Sequence, residues 1–390
     1  MPETDIIVWI VGLMVLSFVY VLITPQLLSL QARVGLGQLR KSVREVERWA
    51  AESRKVALDA ITRHGRTKRD VEKELDGLLE FFEIYPVSED PVGVLRRLEH
   101  LLDVRKKRFE GAISRLVPKA DPEVAANLEM VVEGAMASHT LYRVLRHYML
   151  LAEKTKNMQL VMVIQMNVPF LREYAKAFLE ATKAFTEGKP IGDGVGPLSA
   201  VRIAGKNGWK EGVEDTVYTE TKFEGRRLIV VKAKGPGGRV GKPGELIKRI
   251  IGKRRVARII MIDAAGKLEG EKSGEVIEGV GAAIGRAPTE KYKIEEVASR
   301  RGIPVDAIVI KESFVEAIKP MHRELAKGAE IASEVVKKAI RERTKPGDTV
   351  IIAGIGNTIG IGQRPEEVPK EFPAPPAKGK EEIESMVLPI

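Results

Sequence analysis

A run of uncharged residues near the start of the chain, from Ile6 to Ala32, constrains the fold more than any other sequence feature. Within this run, residues 6–23 are almost wholly apolar. A helix rises about 1.5 Å per residue, so about 20 apolar residues are enough to cross the hydrocarbon of a bilayer. The run therefore predicts an N-terminal transmembrane helix, residues 1–32, that contacts the lipid bilayer through residues 6–28.

The charges on either side of this run predict its orientation. Glu3 and Asp5 precede it, whereas Arg33, Arg40 and Lys41 follow it. Positively charged flanks stay in the cytoplasm. We therefore expect a single-pass protein of the cell membrane, with its N-terminus outside and the bulk of the chain in the cytoplasm.

Composition limits the chemistry that the remaining chain can perform. The chain has 390 residues and no cysteine, which excludes disulfides and thiolate-ligated zinc or iron–sulfur sites. Its formal net charge of +10 favours polyanionic partners, although a basic surface alone is also common in thermophile-like compositions rich in Lys, Arg and Glu. No aromatic residues are interleaved with the basic clusters, so sequence-specific nucleic-acid binding is not expected.

Residues 33–187 have the patterning of a cytoplasmic helical bundle or stalk. Helices are predicted at 68–84, 91–116, 122–156 and 158–185, and a first helix has an apolar seam at Leu39, Val43, Val46 and Ala50. Two helix starts are marked by Asp90-Pro91 and Asp121-Pro122, because aspartate caps free amides and proline is tolerated in a first turn. Met158–Leu171 is too short and too polar for a second membrane span, which favours a buried helix of the bundle.

Residues 188–363 change to a glycine-rich pattern of alternating strands and helices. Strands are predicted at 215–222, 227–234, 256–263, 305–311 and 349–355, and helices at 243–253, 290–301 and 321–344. This alternation predicts a three-layer α/β domain with a mostly parallel sheet. The predicted fold class is therefore a membrane-anchored α plus α/β protein. Residues 364–390, rich in proline and charge, are predicted to be a flexible tail with a docking end in its last six residues.

Candidate ligand-binding residues should converge at the carboxyl ends of these strands, where open parallel sheets bind ligands. Asp193 lies in a glycine turn at the entry to the domain, and Asp263 ends a predicted strand. The alternatives are a turn-forming aspartate for Asp193 and a strand-end cap for Asp263. The glycines and the amide predicted to approach a ligand are Gly192, Gly194, Gly196, Gly266, Gly354, Gly356 and Asn357.

Two further features predict anion sites, each with a simpler alternative. Gly235–Gly244 leads from a strand into a helix, whose N-terminal amides can hold an anion. Lys253, Arg254 and Arg255 crowd the end of the same helix, where cations also simply suit the helix dipole. No cofactor is identified, and no metal is assigned, since His322 is the only histidine in this domain.

The whole chain resembles an archaeal family, domain of unknown function 1512, in its order of apolar helix, charged helices and glycine-rich α/β domain. Residues 190–363 are also similar to the germination protease and the hydrogenase maturation proteases. Their G-D-x-x-G-P and G-x-G-N motifs correspond to Gly192–Pro197 and Ile355–Asn357, and Gly279 and Gly281 lie in a segment like the germination protease's glycine-rich loop. The order of these motifs implies a circular permutation.

This resemblance implies that Asp193 and Asp263 form a catalytic pair, in which one carboxyl acts as base and the other as acid. The chain would then be a peptidase-like hydrolase acting on a peptide substrate. The maturation proteases instead bind a metal through two acids and a histidine. The alternative function is a non-catalytic scaffold or ligand-binding protein that assembles protein partners, or copies of itself, through the helical region.

Overall fold

The computed structural model describes residues 3–64, 68–81, 93–285 and 287–375. The N-terminal helices are α1 Glu3–His64, α2 Lys68–Leu79, α3 Val94–Leu116, α4 Pro122–Thr155 and α5 Met158–Thr186. The later helices are α6 Val195–Ala204, α7 Pro243–Lys253, α8 Pro288–Arg301, α9 Phe314–Ile318 and α10 Arg323–Arg343, with short 3-10 turns at Gly192–Gly194 and Pro365–Glu367. The strands are β1 Lys210–Glu211, β2 Thr216–Phe223, β3 Arg226–Ala233, β4 Arg258–Gly266, β5 Val276–Val280, β6 Val305–Glu312 and β7 Thr349–Gly354.

The predicted N-terminal transmembrane helix is corrected by the structure. Among the residues that the structure describes, no helix is both long enough and apolar enough to cross a membrane. The apolar run is not a helix of its own, because α1 continues through Pro25 to His64, and its later part is heavily charged. The membrane-anchored fold class and the single-pass membrane localisation are corrected with it.

The N-terminal helices pack around two apolar cores. The seam of Leu39, Val43 and Val46 on α1 is buried against α4 and α5, where Leu145 and Val161 lie in the same core. A second core joins the end of α1 to α2, α3, α4 and the end of α5. The predicted apolar seam is thus confirmed as the packing face of α1.

The capping signals account for where two of these helices begin. The Asp121 carboxylate accepts hydrogen bonds from the N–H groups of Glu123 and Val124, and Pro122 occupies the first turn of α4. The predicted start at Asp121-Pro122 is confirmed, whereas Asp90-Pro91 lies outside the described residues. Asn157 caps α5 in the same way by accepting from the Leu160 N–H.

The sheet has the strand order β1-β2-β3-β7-β4-β6-β5 and is mixed rather than mostly parallel. Its centre, β3-β7-β4-β6, is parallel, whereas β1, β2 and β5 pair antiparallel at the edges. The turn at Glu224 and Gly225 joins β2 to β3, and both residues have positive φ. Such a two-residue turn permits only an antiparallel hairpin.

Helices cover both faces of the sheet. One face carries α6 and α10, whose Leu198 and Ala332 share a core with Ile260 and Ile352. The other face carries α7 and α8. Val368 and Phe372, beyond the last strand, pack against the α6/α10 core, and the Arg323 N–H donates to the Pro373 carbonyl. Residues 376–390, which include the predicted docking end, lie outside the described residues.

Candidate functional site

The first and last segments of the α/β domain meet at the carboxyl ends of the central strands. Asp263 lies in β4, which pairs in parallel with both β6 and β7. The 3-10 turn that carries Asp193 lies beside the segment that follows β7. There the Asn357 N–H donates a hydrogen bond of 2.7 Å to Oδ2 of Asp193. This bond crosses the domain, so Asp193 is more than a local turn residue.

Glycines make this close approach sterically feasible. A Cβ on Gly196 would lie 2.1 Å from the Ile355 carbonyl oxygen, and one on Gly354 would lie 2.4 Å from the Gly196 carbonyl oxygen. Gly356 has a φ of +135°, and a Cβ there would lie 1.9 Å from the Asp193 carbonyl oxygen. Only glycine leaves room for these backbone contacts. These glycines therefore position Asp193, and their role in ligand binding stays a prediction.

Asp263 is a buried carboxyl, 5% exposed. Its Oδ1 accepts from the Ala264 N–H at 2.8 Å, and its Oδ2 accepts from the Gly285 N–H at 3.0 Å. Burial raises the pKa of Asp263 well above its usual value, and the negative charge of Asp193 raises it further. The two backbone hydrogen bonds oppose this shift without cancelling it. Asp263 therefore keeps a proton at a pH where an ordinary aspartate has lost it.

Glu312, at the end of β6, is an acid that the sequence reasoning missed. It is 2% exposed, and within the described part of the chain neither of its carboxyl oxygens has a hydrogen-bond partner. Burial raises the pKa of Glu312 well above its usual value, as do the charges of Asp193, Glu316 and Asp263. No sequence signal marked Glu312, because it follows Lys311 at the end of a strand in which buried and partly exposed residues alternate.

Glu316 lies close to Glu312 but has the opposite protonation preference. Burial alone would raise the pKa of Glu316, yet bonds from His322, Ser273 and its own capping residue Ser313 lower it well below its usual range. The Lys267 ammonium, 3.4 Å from Oε2 of Glu316, acts in the same direction. Glu316 is therefore the ionised member of this neighbourhood.

The buried His322 does not complete a metal site. Its Nε2 lies 3.1 Å from Oε1 of Glu316, and it precedes α10 rather than lying within a helix. Across the described ranges, no group of three or more histidine, aspartate or glutamate side chains is placed to hold a metal ion. The residues present thus do not fit a metal centre like that of the maturation proteases.

Of the other predicted glycines, one lies beside an acid of the cluster and two lie away from it. Gly266 is opposite Glu312 in the β4–β6 register, with open space around it. Gly279 pairs with Ala307, and the Gly281 N–H donates to the Val305 carbonyl, which places both toward the amino end of β6. The structure therefore brings Asp193, Asp263, Asn357 and the turn glycines together, but not Gly279 or Gly281.

The predicted anion-binding residues lie near the amino end of β4, away from the carboxyl ends where the acids lie. Lys253 is the last residue of α7, and Arg254 and Arg255 follow it before the amino end of β4. Arg254 donates to both carboxylate oxygens of Glu220. Their role in anion binding stays a prediction.

The N-terminus of α7, at the end of the glycine-rich loop 235–244, already binds a side-chain carboxyl group of the protein, that of Glu290. The Glu245 N–H at the start of α7 donates to Oε2 of the buried Glu290, at 3.1 Å. The loop itself packs on α4, where the Gly238 N–H donates to Oδ1 of Asn127. An external anion would have to displace Glu290.

A cavity of about 580 Å³ lies away from the acids, lined on one side by Trp209 and on the other by residues 363–367. Trp209 donates its indole N–H to the Gln363 carbonyl. The ammonium of the fully buried Lys232 lies 5.3 Å from the centre of the Trp209 ring. Burial lowers the pKa of Lys232 to about 7. This cavity adds nothing to the acid cluster, which is almost closed to solvent at Asp263 and Glu312.

These features define a two-part protein, in which a helical N-terminal region precedes an α/β domain that holds three acids, Asp193, Asp263 and Glu312, near the carboxyl ends of its central strands. Residues 6–188 match the family described as protein of unknown function (DUF1512), N-terminal domain, and residues 191–362 match domain of unknown function (DUF1512), C-terminal. The chain belongs to the DUF1512 family. No curated protein and no solved structure matches it. The resemblance to a circularly permuted germination or maturation protease is therefore not supported.

Proposed function

We propose that the chain is a peptidase-like hydrolase that uses Asp193 and Asp263 as an acid–base pair. The observation that carries this proposal is geometric: the Asn357 N–H holds the Asp193 carboxylate at the segment after β7, next to β4, which carries the buried Asp263. The negative charge of Asp193 also raises the pKa of Asp263. Two neighbouring carboxyls that differ in protonation can divide the roles of base and acid between them. The position at the carboxyl edge of a parallel sheet centre is also where α/β domains bind ligands.

The two acids differ in the way that hydrolysis requires. Asp193 is half-buried, and the N–H of Asn357 stabilises its negative charge, so it suits the role of base. It would take a proton from water as the water oxygen forms a bond to the scissile carbonyl carbon. Asp263 holds a proton and would give it to the leaving nitrogen as the C–N bond breaks. The base then returns its proton to solvent, and Asp263 regains one.

Turnover by single-residue variants tests this proposal. The substrates are an unfolded protein and a fluorogenic peptide library, incubated with the full chain. Asp193→Asn and Asp263→Asn should each lower turnover by at least about 100-fold, the usual size of an acid–base contribution. Glu220→Gln is the matched control, because it removes a carboxylate that pairs with Arg254 away from the acids. Turnover retained by both aspartate variants would contradict the proposal.

Self-assembly through the helical region is a second candidate function, and one observation favours it. Met162, Val163, Met166 and Phe170 form an exposed apolar stripe on α5, and Met166 is 74% exposed. Contiguous exposed apolar surface marks interaction sites in soluble domains. Met166→Glu should convert an oligomer into a monomer in sedimentation velocity, whereas Gln159→Glu, on an exposed position of the same helix, should not. A monomeric parent chain would exclude this function.

A further inference from the structure

A buried carboxyl without hydrogen-bond partners lies beside the proposed acid pair. Glu312 is 2% exposed, and both of its Oε atoms lack a partner within the residues described. Buried polar groups are almost always hydrogen-bonded, since leaving one unpaired destabilises the folded state. An orphaned carboxyl of this kind is the feature expected where a ligand supplies the missing partner.

The position of Glu312 relates it directly to Asp193. Side chains alternate along β6, so Glu312 lies on the same face as Ile308 and Ile310, which belong to the α6/α10 core. Its Oε2 approaches the turn that carries Asp193 so closely that a Cβ on Gly192 would lie 2.6 Å away. Glu312 and the acid pair therefore share Asp193 as a common neighbour.

The charges around Glu312 select the kind of ligand that can bind there. The carboxyls of Asp193, Asp263 and Glu316 all oppose its ionisation. The nearby basic groups, His322 and Lys267, are engaged with Glu316. A surplus of negative charge in a buried site attracts a cation and repels an anion.

The geometry favours an ammonium group over a metal ion. Divalent cations need several oxygen or nitrogen ligands that converge on one point. No group of three such side chains in the described part of the chain has that placement. A single carboxylate, by contrast, is sufficient to pair with an ammonium group, which has three N–H donors to share with neighbouring acceptors.

We propose that Glu312 binds the free α-amino group of a peptide substrate, which would make the proposed hydrolase an enzyme that acts from the N-terminus. This inference rests on the proposed function. Glu312 is opposite Gly266 in the strand register, three residues beyond Asp263. Side chains alternate along a strand, so Asp263 lies on the α7/α8 side of the sheet with Met261, whereas Glu312 lies on the α6/α10 side. The amino group would therefore bind beside the turn that carries Asp193, on the Glu312 side of the sheet. When the amine binds, Glu312 ionises and its proton passes to solvent.

Calorimetric titration of the full-length Asp263→Asn variant tests this inference, because that variant should bind peptide without turning it over. The probes are trialanine amide, its N-acetylated form, N-acetyl-lysine amide and Mg²⁺. We expect trialanine amide to bind and the N-acetylated form to bind at least ten-fold more weakly. N-acetyl-lysine amide, which carries only a side-chain amine, should bind as weakly as the acetylated peptide. Equal affinity for free and acetylated peptides, no binding of either, or binding of Mg²⁺ alone would overturn the inference.

Titrations with Glu312 changed give a second readout. Adding Glu312→Gln should weaken binding of trialanine amide at least ten-fold and abolish the proton release measured in buffers of different ionisation enthalpy. Adding Glu278→Gln, which removes a carboxylate paired with Arg343, should change neither. Unchanged binding after Glu312→Gln would overturn the inference. The comparison of free and N-acetylated trialanine amide uses a chain with Glu312 intact, so it tests the inference even where Glu312→Gln does not fold.

The two proposals fail separately. Binding of trialanine amide without turnover by the unmodified chain would refute the hydrolase and leave the amine site standing. Equal hydrolysis of free and acetylated peptides would refute the amine site and leave the hydrolase standing.

Discussion

The N–H of Asn357 and the carboxylate of Asp193 are joined by a 2.7 Å hydrogen bond across 164 positions of sequence. This bond ties the first turn of the α/β domain to the segment after its last strand. Asp193 is thereby fixed near Asp263, where its negative charge adds to the effect of burial in raising the pKa of Asp263.

Gly356→Ala should destabilise the folded chain by about 2–4 kcal/mol, because the φ of +135° disfavours any side chain and a Cβ would meet the Asp193 carbonyl. Urea unfolding measures the loss. Gly252→Ala, in α7 with no atom within 4 Å of the new Cβ, should be neutral or stabilising by up to about 1 kcal/mol. Equal stability of the two variants would contradict the predicted close approach.

The free energy of unfolding of the Asp263→Asn variant should increase relative to that of the parent chain as pH rises. A carboxyl with a raised folded-state pKa contributes stability at low pH and loses it as pH rises through that pKa. The variant has no such loss, so its advantage in denaturant unfolding should be larger at pH 8 than at pH 4. An advantage that shrinks with rising pH would show that Asp263 is ionised in the folded chain.

Lys232→Met should stabilise the protein below pH 7 by several kcal/mol, since each pKa unit corresponds to about 1.4 kcal/mol. Burial lowers the pKa of Lys232 from 10.5 to about 7, so the unfolded chain binds more protons between these values. Stability of the parent chain should therefore rise across that window, and the variant should lack this rise. Lys206→Met, at an exposed lysine, is the control. A parent-chain stability that stays flat from pH 7 to 10 would refute the assignment.

Asp306→Asn should cost about 3 kcal/mol or more in thermal or chemical unfolding. The Asp306 carboxylate pairs with Arg258 and Arg343, and its side chain is 6% exposed. Arg343 keeps Glu278 as a partner, but the substitution removes the carboxylate that pairs with the largely buried Arg258. Glu278→Gln removes a more exposed partner of Arg343 and should cost less than about 1 kcal/mol. Similar losses from both variants would show that burial does not decide the effect.

The buried central strands could be predicted from sequence because each contains a short run of apolar residues, which is typical of a strand covered on both faces. Strands expected at 227–234, 256–263 and 349–355 are found at Arg226–Ala233, Arg258–Gly266 and Thr349–Gly354. Edge strands β1 and β5 escaped notice, since they are short and mostly exposed and so lack an apolar run. Helix α6 escaped because its first turn contains Gly196 and Pro197, which read locally as a turn.

The acid cluster was only half predictable. Asp193 could be found because it adjoins glycines, and Asp263 because it directly follows an apolar run. Glu312 follows a lysine in an alternating strand, a pattern typical of a solvent-facing end. Its burial depends on α9 and on the Gly192 turn, which contacts it from elsewhere in the sequence. Sequence patterning reports the strand, and tertiary packing decides which of its polar residues loses contact with water.

The Asn357–Asp193 bond also sets the order of events during synthesis. A ribosome releases Asp193 and Asp263 well before the last strand exists, and a nascent chain cannot pair them with a segment it has not yet received. Until Asn357 emerges, Asp193 lacks this anchor. Any activity that needs Asp193 in this position would therefore have to wait until the last strand is complete.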